Sequence, residues 1–132
     1  RVISLTKDRV ADSGAVCTYV EKSDDILLYA DEGQITQILI NLIKNATEAD
    51  AGRIEITAEI NLSEHVIINV FNDGRAISKE SREEIFVPFF TTKQEGTGIG
   101  LSLSRQIMRL HNGTLALTRS DATATTFTLR FL

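Results

Sequence analysis

The sequence has a single cysteine, Cys17, in 132 residues. An internal disulfide is therefore impossible, and a reducing compartment fits better than a secreted, cross-linked scaffold. No apolar run approaches the ~20 residues that a membrane span needs, and no signal peptide leads the chain. Positive charge is not in excess either: 14 Lys and Arg stand against 18 Asp and Glu, a net −4. A nucleic-acid binder would need a basic face to neutralise phosphates. Low-complexity tracts and internal repeats are missing as well. What is present, 42% apolar and 24% charged residues, is ordinary for a globular protein and enough for one core. The chain opens Arg1-Val2-Ile3 without a Met, as an excised piece of a longer protein would. Composition thus predicts one cytosolic domain over 1–132, with no nucleic acid bound and no membrane contact by this segment. It does not give a function.

Hydropathy patterning supplies the organisation. Residues 1–14 place Val2, Leu5 and Val10 at loose helical spacing, which suggests the tail of a longer helix and a linker from a preceding domain. Strand-like segments follow at 16–20 and 26–30, separated by the acidic turn Lys22–Asp25. Asp31 reads as a helix N-cap with Gln34 at the capping-box position, opening a helix over about 32–49. Alternation at Ile54, Ile56, Ala58 and Ile60, then at Val66, Ile68 and Val70, predicts a hairpin turning around 61–65. A short helical stretch is expected at 79–86. A second good helix should run over about 99–111, ended by Asn112-Gly113 in a left-handed cap. Strands at 114–118 and 125–131 close the chain. This order predicts an α+β fold, a two-layer sandwich with one mixed sheet covered on one face by helices. The irregular stretch from Asn72 to Gly98 is long for a compact domain, and such loops are usually functional.

Three features carry chemistry. On the first helix, Ile35, Ile38, Leu39, Leu42, Ile43, Ala46 and Ala49 share one face, and Asn41, Lys44, Asn45 and Glu48 share the other. A solvated face explains such a stripe in most helices. Asparagines, however, are poor helix formers, and an amide oxygen is a hard neutral ligand suited to Mg²⁺. At the end of the hairpin, Asn72-Asp73-Gly74 is ordinary turn chemistry, yet an amide or carboxylate held there can accept from the amine of adenine. Gly96-Thr97-Gly98-Ile99-Gly100-Leu101 spaces glycines so that backbone N–H groups can approach an anion at a helix start. It is neither a Rossmann fingerprint nor a P-loop. Just before it, Phe86–Lys93 sets hydroxyls, an ammonium and apolar bulk in a lid-like loop.

Each feature alone is weak; together and in order they resemble the catalytic, ATP-binding domain of a sensor histidine kinase. Asn41–Ala46 is similar to its asparagine box, Asn72–Gly74 to its first glycine box, Phe86–Lys93 to its phenylalanine box and Gly96–Leu101 to its second glycine box. The likeness covers roughly 25–131, and the Pro-Phe-Phe-Thr-Thr-Lys core at 88–93 resembles the nitrogen-regulation type most closely. It implies the Bergerat-type ATP-binding sandwich of the GHKL superfamily, shared with DNA gyrase, mismatch-repair ATPases and heat-shock chaperones.

It further implies ATP and Mg²⁺ as cofactors and a metal ligand at Asn45. Asn41, Lys44, Asn45 and Lys93 become the catalytic set. The implied nucleotide contacts are Asn41, Lys44, Asn45, Asn72, Asp73, Gly74, Ile77, Phe90, Thr91, Thr92, Lys93, Gly96, Thr97, Gly98, Ile99, Gly100, Leu101 and Thr125. The implied partners are a helical dimerisation and phosphohistidine domain of the same kinase and a downstream response regulator. The implied location is the cytoplasm, compatible with a membrane anchor elsewhere in a full-length kinase.

This chain departs from the family at Asn72, where an adenine-binding aspartate is usual, and at Ala76, in place of the second glycine. Either Asn72 or Asp73 could then read the base. His65 and His111 are the only histidines, and neither sits in a long helix beside an acid, so each reads as a surface residue and not as a phosphoacceptor. An ATP-hydrolysing clamp of the same superfamily would need a glutamate where Asn41 stands, because an amide takes no proton near neutral pH. A serine kinase of anti-sigma type, or a nucleotide-binding module without kinase activity, would also suit these residues.

Overall fold

A computed structural model describes residues 2–4, 16–24, 26–87 and 100–132. The strands are β1 (Val2–Ser4), β2 (Val16–Glu21), β3 (Leu27–Tyr29), β4 (Arg53–Ile60), β5 (Val66–Asn72), β6 (Gly113–Ser120) and β7 (Thr125–Phe131). The helices are α1 (Glu32–Glu48) and α2 (Gly100–Leu110). Five strands form a mixed sheet in the order β2-β4-β5-β7-β6. The β2–β4 pair is parallel and the other three are antiparallel. Parallel strands cannot be joined by a tight turn, so the chain crosses over between β2 and β4, and α1 is part of that crossover. The predicted α+β sandwich with one mixed sheet is the fold observed.

Local rules explain the elements. Asp31, in extended backbone, accepts from the Gln34 N–H at 3.0 Å and so caps α1 as predicted. The helix ends where Asp50 turns left-handed (φ 61°) and the Ala51 N–H reaches back to Ala46 O at 3.1 Å. Asn112 ends α2 in the same conformation (φ 58°). Ile35, Ile38, Leu42, Ile43 and Ala46 turn one side of α1 inward. They meet Ile54, Ile56, Ala58, Val66, Ile68, Val70, Phe127 and Leu129 from the sheet, with Ile107 and Met108 from α2. Burial alternates along β5 and β7, and among the described residues both helices lie on the face that turns the buried side chains inward.

Three local expectations need correction. Val2–Ser4 is a strand, paired antiparallel with Leu27–Tyr29, and not part of a helix; residues 5–15 lie outside the described ones. The two early strands belong to different sheets. The 79–86 stretch is two short 3-10 turns, Lys79–Ser81 and Glu84–Phe86, and only Phe86 of these residues is buried. A segment anchored by one apolar residue lacks the inward stripe that would sustain an α-helix.

Candidate functional site

A cavity of about 860 Å³ opens between α1, the end of β5, the loop that follows it, the first turn of α2 and β7. Asn45, Glu48 and Ala49 line it from α1, and Leu101 from α2. Asn72, Thr125 and Phe127 form its sheet wall, while Arg75, Ala76, Ile77, Ser78, Ser81 and Ile85 close the loop side.

The sheet wall is built by register. Asn72 lies opposite Thr125 on β7, and Thr125 lies opposite Ser120 on β6. All three are buried. Ser120 Oγ stands 3.0 Å from Thr125 Oγ1 and accepts from the Ile77 N–H at 2.8 Å, tying the loop to the sheet. Its carbonyl accepts from Arg82 Nη2 at 2.5 Å. Asn72 Oδ1 accepts from the Gly74 N–H at 2.9 Å. Gly74 is required there, because an added Cβ would lie 2.6 Å from Ala49 O. The neighbouring Arg75 N–H donates to that same Ala49 carbonyl at 2.9 Å. At the rim, the exposed Arg75 guanidinium pairs with Asp50 and donates to Glu48 O.

Asp73 does not line the cavity. Its Oδ1 accepts from the Gly52 and Arg53 N–H groups, each at 2.9 Å, on the exposed side of the turn. Those bonds, the Arg53 one foremost, hold its carboxyl below the usual carboxylate range. Of the two residues left open by the sequence, the structure puts Asn72 at the cavity and Asp73 outside it.

The predicted helical stripe divides in a similar way. Asn45 lines the cavity, whereas Lys44 is exposed and stands outside its wall. Asn41 faces α2: its Nδ2 donates to Gly100 O at 3.2 Å and to Ser104 Oγ at 3.1 Å, and its Oδ1 accepts from Gln37 at 3.0 Å. Ser104 is fully buried and donates to Gly100 O at 2.8 Å, so this small network fixes the start of α2. Gly74, Ile77, Gly100, Leu101 and Thr125 all lie at or beside the cavity. Phe90, Thr91, Thr92, Lys93, Gly96, Thr97, Gly98 and Ile99 fall outside the described residues. Sequence reasoning missed Ser120 and Ser104 as parts of the site, and placed Glu48 on the polar stripe without giving it a role. The first had a readable signal, since two hydroxyls flanking the β6–β7 turn must face each other across it.

Similarity to known proteins follows the same boundaries. Residues 30–132 match the family described as histidine kinase-, DNA gyrase B- and HSP90-like ATPase. The sensor histidine kinase ZraS of Escherichia coli (strain K12) is 38% identical over 104 residues, covering 77% of this chain and 22% of ZraS. Sporulation kinase E of Bacillus subtilis (strain 168) is 34% identical over 107 residues, covering 79% of this chain and 14% of that protein. The chain therefore spans less than a quarter of the length of these curated relatives. The solved catalytic domain of histidine kinase ThkA, nucleotide-free, superposes with a TM-score of 0.76 at 37% identity, covering 89% of this chain and 77% of that one.

Proposed function

Because this chain belongs to the histidine kinase-, DNA gyrase B- and HSP90-like ATPase family, and within it to the histidine kinase catalytic domains, we propose that its cavity holds Mg-ATP for phosphoryl transfer to a histidine. The acceptor lies on a helical dimerisation domain of the same kinase, and a response regulator takes the phosphoryl group onward. The work is done in the cytoplasm, where ATP is supplied. Among the described residues no helix is long and apolar enough to cross a membrane.

The observation that carries this reading is the cavity itself. Its volume of about 860 Å³ suits a nucleotide, and its walls combine apolar Ile77, Ile85, Leu101 and Phe127 with a few convergent polar groups. The first turn of α2 borders it, and a helix N-terminus favours an anion such as a phosphate chain. Asn45 offers an amide oxygen on the same wall, the hard neutral donor that Mg²⁺ accepts among waters and phosphate oxygens. When bound, the metal neutralises charge on the phosphates. The sheet wall, Asn72 and Thr125, would hold the base, and Asn41 keeps the start of α2 in place through Gly100 and Ser104. Lys44, Lys93 and the glycines at 96 and 98 complete the proposed phosphate end.

In the transfer, an imidazole nitrogen of the acceptor attacks the γ-phosphorus while the bond to the ADP oxygen breaks. The nucleophile needs no strong base from this chain, so positioning and charge neutralisation suffice. Neither histidine here is placed as acceptor. His65 Nδ1 accepts from Arg130 at 3.0 Å, and both ring nitrogens of His111 are engaged.

Labelled ATP tests the proposal. The chain alone should bind ATP without stable labelling, and the kinase's helical domain added in trans should become labelled in an acid-labile form. Acid-stable labelling of a serine on a partner would instead support a serine kinase. Nucleotide binding with no labelled partner would leave a binding module.

A further inference from the structure

We infer that Asn72 is a base-specificity residue that admits 6-oxo purine nucleotides beside ATP. The inference rests on the nucleotide reading of the cavity and deepens it. Only an oxygen can accept from the Gly74 N–H, so the 2.9 Å bond assigns Oδ1 of Asn72 to the turn. The Nδ2 group must then occupy the other branch of the amide. The side chain cannot simply rotate to suit a ligand, because that would set Nδ2 against the Gly74 N–H, donor facing donor.

The neighbouring hydroxyl points to the same polarity. Ser120 Oγ accepts from Ile77 N–H at 2.8 Å, which leaves its own hydrogen for Thr125 Oγ1 at 3.0 Å. Among the described residues the reverse assignment would leave the buried Ser120 hydroxyl hydrogen without an acceptor. Thr125 therefore keeps its hydrogen for the cavity it lines. Asp73, the nearest carboxylate in sequence, is held outside by Gly52 and Arg53 and supplies no acceptor here.

The sheet wall thus offers donors where the purine C6 substituent would be read. A 6-oxo group is an acceptor and matches them; the 6-amino group of adenine is a donor and must share the second lone pair of Oδ1. A carboxylate at position 72 would reverse this preference. One of its oxygens would serve Gly74 and the other would accept from the adenine amine.

Competition binding of ATP, inosine triphosphate and guanosine triphosphate tests this on the intact chain and on Asn72→Asp. Inosine triphosphate carries the 6-oxo edge without the 2-amino group, so it isolates the edge from any steric effect at C2. We expect inosine triphosphate to bind within about tenfold of ATP, and Asn72→Asp to move the ratio toward ATP by roughly tenfold or more. If Asn72→Asp does not fold, Thr125→Val should weaken inosine triphosphate more than ATP. A ratio unmoved by these substitutions, or an unaltered chain that rejects inosine triphosphate by about a hundredfold while binding ATP, overturns the inference and leaves the ATP reading standing. A folded chain that binds none of the three overturns both.

Discussion

His111 Nε2 accepts the backbone N–H of Asp31 at 3.0 Å, across 80 residues of sequence. Nδ1 of the same ring donates to Ile107 O at 2.8 Å, which fixes the neutral tautomer. One imidazole therefore ties the start of α1 to the end of α2. The Asn41 network ties the middle of α1 to the start of α2, so the two helices run antiparallel with a polar clasp at each end of α2. His111→Ala should lower stability by about 1–2 kcal/mol for the two bonds, a melting shift of roughly 3–8 °C. Calorimetry checks this, and an unchanged melting point would show the contact to be idle.

Gly74 and Gly52 form a contrasting pair. A Cβ at Gly74 would meet the backbone oxygen of Ala49 at 2.6 Å, whereas at Gly52 nothing lies within 4 Å. Backbone at the end of α1 cannot yield cheaply, so Gly74→Ala should cost about 1–3 kcal/mol and weaken nucleotide binding by shifting the turn under Asn72. Gly52→Ala should change neither. Denaturant midpoints and nucleotide titrations on both variants make the comparison, and equal effects would remove the steric argument.

Much of this was legible in the sequence because it depends on short-range rules. Asp31 and Asn112 bound their helices as cap chemistry requires, and Ile54, Ile56, Val66, Ile68 and Val70 face inward as alternation requires. The misreadings come from long-range pairing. Two apolar residues three apart are too few to fix a helix, and pairing with Leu27–Tyr29 decides that Val2–Ser4 is extended. Nor can spacing show that Asn41 spends its amide on Ser104, 63 residues away, or that His111 binds the Asp31 N–H. The neighbours Asn72 and Asp73 were separable only once the end of β5 was placed, with Asn72 paired opposite Thr125 and Asp73, just past the strand, bound to the Gly52 and Arg53 N–H groups.

The turn after β5 should also make stability depend on pH. The Asp73 carboxylate is held by the N–H groups of Arg53 and Gly52, and its pKa is lowered accordingly. A depressed carboxyl stabilises the fold while ionised, so its contribution is present at neutral pH. It is lost as pH falls below the ordinary carboxylate range of about 4 and through the lower folded value. Asp73→Asn should thus be less stable than the parent at pH 7, with the gap closing at more acid pH. Urea melts of both proteins over a pH series check this, and a gap that is constant with pH would remove the carboxylate from the account.

Asn45 carries the sharpest test of the proposed metal role. It sits half-buried on the cavity wall one helical turn beyond Asn41, at the border of the core-facing side of α1. Asn45→Ala should leave the fold intact, because no apolar side chain is removed and Ala favours a helix more than Asn does. Asn45 also has an interaction within the protein, so the metal role is read from the Mg²⁺ dependence of the loss and not from the loss alone. Nucleotide affinity should then fall in the presence of Mg²⁺ and stay nearly level in its absence, since the proposed base contacts at Asn72 and Thr125 would not depend on the metal. Asn45→Asp, which keeps an oxygen donor and adds charge, should retain a Mg²⁺ response that Asn45→Ala lacks. Titration calorimetry of ATP with and without Mg²⁺ reads both effects directly. Equal losses in the two conditions would make Asn45 a contact to the nucleotide and not to the metal.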